Sequence, residues 1–325
     1  MDLREFAQAL RQRGYGGRVK VGEPLSRYTS FGIGGPADLL VVANEVQEME
    51  DLVTMARSAA IPLLVLGRGT NVLVADAGVR GLVIINACQG FFWEEEGLLV
   101  AHSGTLLTKL ARWTVRQGWS GLEWAVGIPG TLGGAVVGNA GAYGGDMAGT
   151  VRWVRVLDVG GTVRRLDVEE LGYGYRTSAL KRRGDEKYPR IVLDVALQLE
   201  AGDPEALQRK VLHITRRRRS HIPDGASAGS VFKRTVQYPA GFLIDQVGLK
   251  GFRIGDAEIS TKHANFFMNA GRATAADMRE LIERAQQEVR DAFAQELEPE
   301  IEFLGEWDIP TEQLSYSGVE RSAGS

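Results

Sequence analysis

Apolar positions along this chain switch repeatedly between a period near 3.6 and a period near 2, so the pattern predicts helices and strands in alternation. Leu3, Phe6, Ala7 and Leu10 recur at helical spacing, and Gly14 with Gly16–Gly17 ends that segment. The small-residue loop PLSRYTSFGIGGPADLLVVA runs into a strand at Leu39–Val42. Residues 45–59 read as an amphipathic helix through Val46, Met49, Leu52, Val53 and Ala56. IPLLVLGRGTNVLVAD then reads as a strand, a glycine-bracketed turn at Gly67–Asn71 and a second strand, and GLVIIN at 81–86 adds another. Strand-like LLVAH precedes a helix at 105–117 carrying Leu106, Leu107, Leu110, Ala111 and Val115, closed by Gly118. A hairpin is predicted about Gly160–Gly161, and a strand at 191–199 with Ile191, Leu193, Val195, Leu197 and Leu199 on one face.

The last third opens with a helix from Pro204 to about Arg219, striped by Leu207, Val211 and Ile214. Strand-like SVFK, a short helix in AGFLIDQVG and a strand in NFFMN follow. A long helix starts after Thr274 as N-cap, with Met278, Leu281, Ile282, Ala285, Val289 and Phe293 on one face. The final strand lies in EIEFLGEW, with Ile301 and Phe303 facing inwards. These boundaries divide the chain into units at 1–86, 87–202 and 203–307, with a polar tail at 308–325.

Composition narrows the class. The chain has 325 residues, 44% of them hydrophobic, and a formal net charge of −3, which argues against wholesale nucleic-acid or membrane binding. Cys88, the single cysteine, has no internal disulfide partner, and no signal-peptide-like or membrane-spanning apolar run is seen. A cytoplasmic protein without membrane attachment, monomeric, is the expectation. His102, His213, His221 and His263 show no metal-ligand spacing, so no metal is expected.

Two stretches carry candidate chemistry. GLEWAVGIPGTLGGAVVGNAGAYGGDM, at 121–147, is dense in glycine, yet its glycines alternate with apolar residues and it carries almost no charge. A flexible linker lacks that apolar content; taken together, the glycines point to backbone lying against a flat ligand, although each taken singly fits a tight turn. In the turn Gly67-Arg68-Gly69-Thr70-Asn71, successive amides can form a nest for phosphate oxygens, or a plain β-turn; these residues alone leave both open. The dinucleotide fingerprint G-x-G-x-x-G between strand and helix is absent, as is the Walker lysine, so a phosphate site here belongs to another fold.

FGIGGPAD (31–38), LGRGTNVLVAD (66–76) and the 121–147 stretch together resemble the flavin-binding halves of the vanillyl-alcohol-oxidase-like FAD proteins. The resemblance continues through GYRTS (174–178), AGSVFKR (228–234), GFLIDQVGLKG (241–251), AEISTKHANFFMN (257–269) and LEPEIEFLG (297–305). In that order and spacing the set resembles the UDP-N-acetylenolpyruvoylglucosamine reductases. The short link between Leu199 and the helix at 204, with the KHANF segment, is similar to the family's second type, which lacks a substrate-covering loop carrying a tyrosine. The implied fold is α+β: a two-subdomain FAD-binding α/β region of the PCMH type and a C-terminal α+β substrate-binding domain.

What the resemblance implies about chemistry carries over by position. The family holds FAD, here non-covalently since His102 and Cys88 lie outside the matched motifs, and takes hydride from NADPH. Flavin N5 passes the hydride to the terminal carbon of the enolpyruvyl group of UDP-N-acetylglucosamine enolpyruvate. The family's proton-donating serine is matched by Ser230, its carboxylate-binding arginine by Arg176 and its glutamate acting on the enol by Glu300. Without the resemblance, Ser230 reads as a loop hydroxyl and the other two as a structural ion pair. The implied cofactor-binding residues are Gly67, Arg68, Gly69, Thr70, Asn71, Gly127, Ile128, Pro129, Gly130, Thr131, Gly134, Asn139, Ala140 and Gly141. Arg234 and Lys262 are implied holders of the nucleotide diphosphate, with Gln246, His263 and Tyr143 as further substrate-side residues and Lys233 orienting or polarising Ser230. Two departures from the family pattern, Thr235 for the proline after FKR and His221-Ile222 for Gln-Pro, touch the shape of the serine loop.

Arg216–Arg219 offers a rival reading as an anion or nucleic-acid patch. Four consecutive residues spread around a helix turn, so a solvated helix end is expected, with one arginine able to turn towards a substrate phosphate. A flavin oxidase acting on an alcohol is the rival enzyme class.

Overall fold

The computed structural model describes residues 1–181 and 188–307; the tail expected at 308–325 lies outside the described residues. The first sheet is four-stranded, in the order Lys20–Pro24, Pro36–Ala43, Val79–Asn86, Leu63–Leu66. Its first pair is antiparallel and the other two are parallel, with Leu82 registered between Leu39 and Leu63. Helix α1 (Leu3–Leu10), capped by Asp2 in a capping box, and α2 (Val46–Ser58) cover one face, burying Phe6, Leu10, Met49, Leu52 and Val53. The first helical segment runs on through a wider turn, Arg11–Tyr15, broken at Gly14 with φ +94°.

The second sheet is five-stranded and antiparallel, in the order Val163–Asp167, Val151–Leu157, Ile191–Gln198, Leu98–His102, Phe91–Glu95. The hairpin at Gly160–Gly161 forms as the spacing predicts. Ile191–Gln198, however, is buried on both faces, because it is the central strand and both faces are covered. Helix α3 (Leu107–Arg116), with Gly118 just beyond its end at φ +79°, and α4 (Leu132–Val137) pack here with Trp124, Leu199 and Leu207 in one core.

The third layer holds α5 (Pro204–His221), α6 (Ala240–Gln246) and α7 (Ala275–Phe293). A small antiparallel sheet of Arg253–Ile254, Ala257–Ile259 and Phe267–Asn269 lies with them. Asp203 and Pro204 start α5, and Leu207, Val211 and Ile214 are its buried stripe. The predicted strand in SVFK is not part of a sheet. It makes two isolated pairings, Ser230 with Phe266 and Phe232 with Pro299, because Asn265 occupies the backbone of Phe232 from both sides.

Three contacts tie this layer to the first sheet's loops. Phe31, Ile33 and Leu73 sit in the core of α6 and α7, each contributing about 1.5–3 kcal/mol by leaving water. Glu302–Leu304 pairs in parallel with Val72–Val74, some 230 residues earlier in the chain (302 − 72). Asp76 accepts from the amides of Ala275 and Ala276, reinforcing the Thr274 capping box at the start of α7. Ile301 is buried in that core and Phe303 is packed against it. Loops of the first sheet are therefore packed directly against the C-terminal layer. Among the described residues no helix is long and apolar enough to cross a membrane.

Candidate active site

Two backbone segments face each other across the junction of the first and second sheets. Gly67 has no room for a Cβ because Thr131 Oγ1 lies against it. A Cβ on Gly130, whose φ is +118°, would stand 2.9 Å from Thr70 Oγ1. Gly69 (φ +57°) lies against the Tyr28 carbonyl, and its own oxygen accepts from the Ser30 amide at 2.9 Å. Thr131 is buried and caps α4. What these contacts leave open is a lane of mostly small residues: Arg68, Pro129 and Gly134 are exposed, and Gly67, Thr70, Gly127, Ile128, Gly130 and Ala140 are half-buried.

Apart from Arg68 and Ile128 the residues of that lane are small or compact, which suits close approach by a long, flat, phosphate-bearing cofactor. Not every glycine serves it. Gly133 is needed for contact with Ser103, Gly145 for Trp124 and Gly141 for the facing strand at Asp146, so the chain itself accounts for these. Asn71 is exposed, and its side chain donates to the Glu300 carbonyl at 3.0 Å while its own carbonyl accepts from Glu302 N. Cys88 is buried and its thiol is pushed up to about 12 by burial, so it stays protonated. Among the described residues no group of three or more His, Cys, Asp or Glu is placed to hold a metal ion.

At the end of the lane the structure brings the distant residues Arg176, Glu300 and Ser230 to one place. Arg176 Nε lies 2.7 Å from Glu300 Oε1, an ion pair between two mostly buried side chains. Glu300 N donates to the Val231 carbonyl at 2.7 Å, setting the Ser230–Val231 backbone beside the carboxylate. Ser230 itself is half-buried. Burial raises the Glu300 carboxyl above the ordinary carboxylate range, against the opposing pull of Arg176, Lys181 and Lys233.

Backbone strain gathers at the same end. Among the described residues five non-glycine positions have positive φ, and Asn139 (+42°), Tyr143 (+53°) and Arg176 (+57°) are three of them. Arg176 sits in a tight turn in which Gly174 and Thr177 exchange backbone hydrogen bonds. The turn is anchored to the glycine-rich stretch by Asn139 Nδ2, which donates to Gly174 O at 2.9 Å, and by Ser178 Oγ, which donates to Val137 O at 2.7 Å. Asn139 Oδ1 accepts from Ala148 N, so this buried amide is occupied at both ends and acts as a brace.

The substrate-side residues scatter more widely. Lys262 Nζ donates to the carbonyls of Arg219 and Ile222, each at 2.7 Å, closing the C-terminus of α5. Lys233 pairs with Glu298 at 2.5 Å and so is not directed at Ser230. Arg234 is exposed beside Lys233 and Thr235 in a shallow hollow, and Gln246 is exposed at the end of α6. His263 is half-buried; burial lowers its pKa, helped by His221 and Lys250, and Nδ1 accepts from Asn265 N at 3.1 Å.

The helix-end reading of Arg216–Arg219 holds only for part of the run. Arg218 packs against Gly127, and Arg217 lies over the Tyr143 ring, 5.6 Å from its centroid. The pattern of consecutive arginines contains no signal for which one is inside; that depends on where α5 crosses the second sheet's loops. Asn265 and Asp76, which brace the serine loop and α7, also escaped the sequence reading, although both lie in the matched motifs.

A sequence profile described as "UDP-N-acetylenolpyruvoylglucosamine reductase, C-terminal domain" matches residues 221–304, and one described as "FAD binding domain" matches residues 37–167. The chain is 44% identical over 300 residues to a UDP-N-acetylenolpyruvoylglucosamine reductase of Synechococcus sp. (strain JA-3-3Ab), covering 90% of this chain and 94% of that relative. It is also 44% identical over 291 residues to the corresponding protein of Rubrobacter xylanophilus, with 89% and 96% covered. The crystal structure of the Thermus caldophilus reductase superposes with a TM-score of 0.75 at 38% identity, covering 88% of this chain and 98% of that one. With both halves matched and relatives covered almost end to end, the chain belongs to the UDP-N-acetylenolpyruvoylglucosamine reductase family of FAD-binding oxidoreductases.

Proposed function

We propose that this chain reduces UDP-N-acetylglucosamine enolpyruvate to UDP-N-acetylmuramate with NADPH as electron donor, in cytosolic peptidoglycan precursor synthesis. The observation that carries the reading is the Arg176–Glu300 pair held beside the Ser230 backbone at the end of the glycine lane. In this reading, FAD lies along residues 67–71 and 127–141. When bound, it supplies the hydride carrier between NADPH and the enolpyruvyl terminal carbon.

The protein's own part is binding and proton delivery. Arg176 presents its Nη edge to the substrate carboxylate and stays charged as negative charge spreads into the enolate. Glu300, with its carboxyl raised by burial, shares or donates a hydrogen bond on the enol side. Ser230 Oγ gives its proton to the carboxylate-bearing carbon, completing a two-electron, two-hydrogen reduction of the double bond. The serine oxygen then recovers a proton from solvent, which reaches this half-buried loop.

The test is anaerobic absorbance spectroscopy of the purified protein. NADPH should bleach the flavin and the enolpyruvyl nucleotide should restore it; failure of either step in the wild type sinks the reaction. Ser230→Ala should bleach normally and recover at least a hundredfold more slowly. Normal recovery in that variant removes Ser230 from proton delivery.

A further inference from the structure

Arg176 is not the only cation that its turn carries towards the C-terminal layer. Further along the same segment, Lys181 Nζ lies 3.4 Å from Glu302 Oε1, so the pairs Arg176–Glu300 and Lys181–Glu302 cross between the same two stretches of chain. Backbone contacts hold both ends of the second pair. Lys181 N donates to the Ser178 carbonyl at 3.1 Å, Leu180 N donates to Ser178 Oγ at 3.2 Å, and Leu180 is buried in the second sheet's core. Glu302 N donates to the Asn71 carbonyl at 2.9 Å, and buried Ile301 separates Glu302 from Glu300. As a stabilising contact the Lys181–Glu302 pair is minor: its side chains are 27% and 40% exposed, and ion pairs open to water contribute little. Its consequence is to fix where a positive charge sits. Among the described residues, the cations acting on the Glu300 carboxyl are Arg176 and Lys181 from the turn and Lys233 from the serine loop, and all three oppose the upward push of burial. The anions beside them are Glu302, paired with Lys181, and Glu298, which holds Lys233 at 2.5 Å. In the reaction proposed above Arg176 is engaged by the substrate carboxylate, whereas Lys181 keeps its tether.

We propose that Lys181 is a positioning residue of the active site: tethered by Glu302, it holds a fixed positive charge beside Glu300 and so governs when that carboxyl carries a proton. Lys181 acts through Glu300 and not on the substrate. A neighbouring cation favours the ionised carboxylate, so removing it lets burial push the carboxyl further up. The inference rests on the role proposed above for Glu300.

The test is the pH dependence of kcat/KM in the flavin-loaded enzyme, compared for wild type, Lys181→Met and Lys181→Arg. Activity that needs the Glu300 proton falls as pH rises through the folded value. The alkaline limb should therefore move to higher pH in Lys181→Met and keep its wild-type position in Lys181→Arg. In a Glu300→Gln background, Lys181→Met should move nothing. The Glu300 titration is followed in parallel by carboxyl-carbon NMR, with the resonance assigned by its loss in Glu300→Gln. It should show the same upward shift whether or not the variant turns over. Folded Lys181→Met protein whose Glu300 resonance titrates at or below the wild-type midpoint overturns the proposal, as does a limb shift that persists in Glu300→Gln. A wild-type profile without a Glu300-dependent limb, alongside the expected NMR shift, refutes the proton role of Glu300 and upholds the action of Lys181 on its carboxyl.

Discussion

Replacing Arg176 with glycine and, separately, with alanine distinguishes what its side chain does from what its backbone endures. Its φ of +57° places a branched-at-Cβ-free but bulky residue where glycine is favoured, at a cost of roughly 1–2 kcal/mol. Glycine removes that cost but adds about 0.5–1 kcal/mol of unfolded-chain entropy, so Arg176→Gly should be about 1 kcal/mol more stable than Arg176→Ala. Both variants lose the contact with Glu300 at 2.7 Å equally, so the ion pair cancels from the comparison. Activity should not separate them. Loss of a donor aimed at developing negative charge costs about 10²–10³ in kcat, and both variants should show it. Urea unfolding followed by flavin fluorescence reads the first quantity. Anaerobic stopped-flow reoxidation of NADPH-reduced enzyme by the enolpyruvyl nucleotide reads the second, with the NADPH step as an internal control. Alanine at least as stable as glycine would refute the strain argument. Reoxidation within threefold of wild type in either variant would refute the role at the enolate.

Two further perturbations probe the supports of the site. Because burial raises Glu300, activity that needs its proton should fall as pH rises through the folded pKa, and Glu300→Gln should flatten that limb of the kcat/KM profile. The sign for stability is the same: the contribution is full below the unfolded-state pKa and lost as pH rises through the raised folded value, so the wild-type minus Glu300→Gln difference in unfolding free energy should shrink over that window. Asp76→Ala removes both side-chain acceptors from the amides of Ala275 and Ala276 and should cost about 0.5–2 kcal/mol in urea unfolding; no change would mean that the Thr274 box suffices.

Much of the secondary structure was readable without coordinates because it is local. Thr274 starts α7, Gly118 follows α3 and Gly160–Gly161 turns its hairpin, each through the conformational preferences of a few adjacent residues. The family pattern likewise identified the flavin-type architecture, since ordered motifs preserve spacing even when no single one is specific. Pairing partners were another matter. Nothing within EIEFLG states that residues 302–304 lie beside Val72–Val74, nor does SVFK reveal that Asn265 will hold it in isolated bridges; both depend on contacts distant in sequence.

The candidate site divides in the same way. By itself the chain determined which residue types were available: a glycine-rich lane, a serine in AGS, an arginine in GYRTS and a glutamate in LEPEIEF. Only the tertiary structure decided that Asn139 is a brace for the Arg176 turn, that Lys262 closes a helix and that Arg218, among four consecutive arginines, is the one turned towards the lane. The physical reason is that charge and hydrogen-bonding capacity belong to a residue, whereas burial, partner and direction belong to the packing around it.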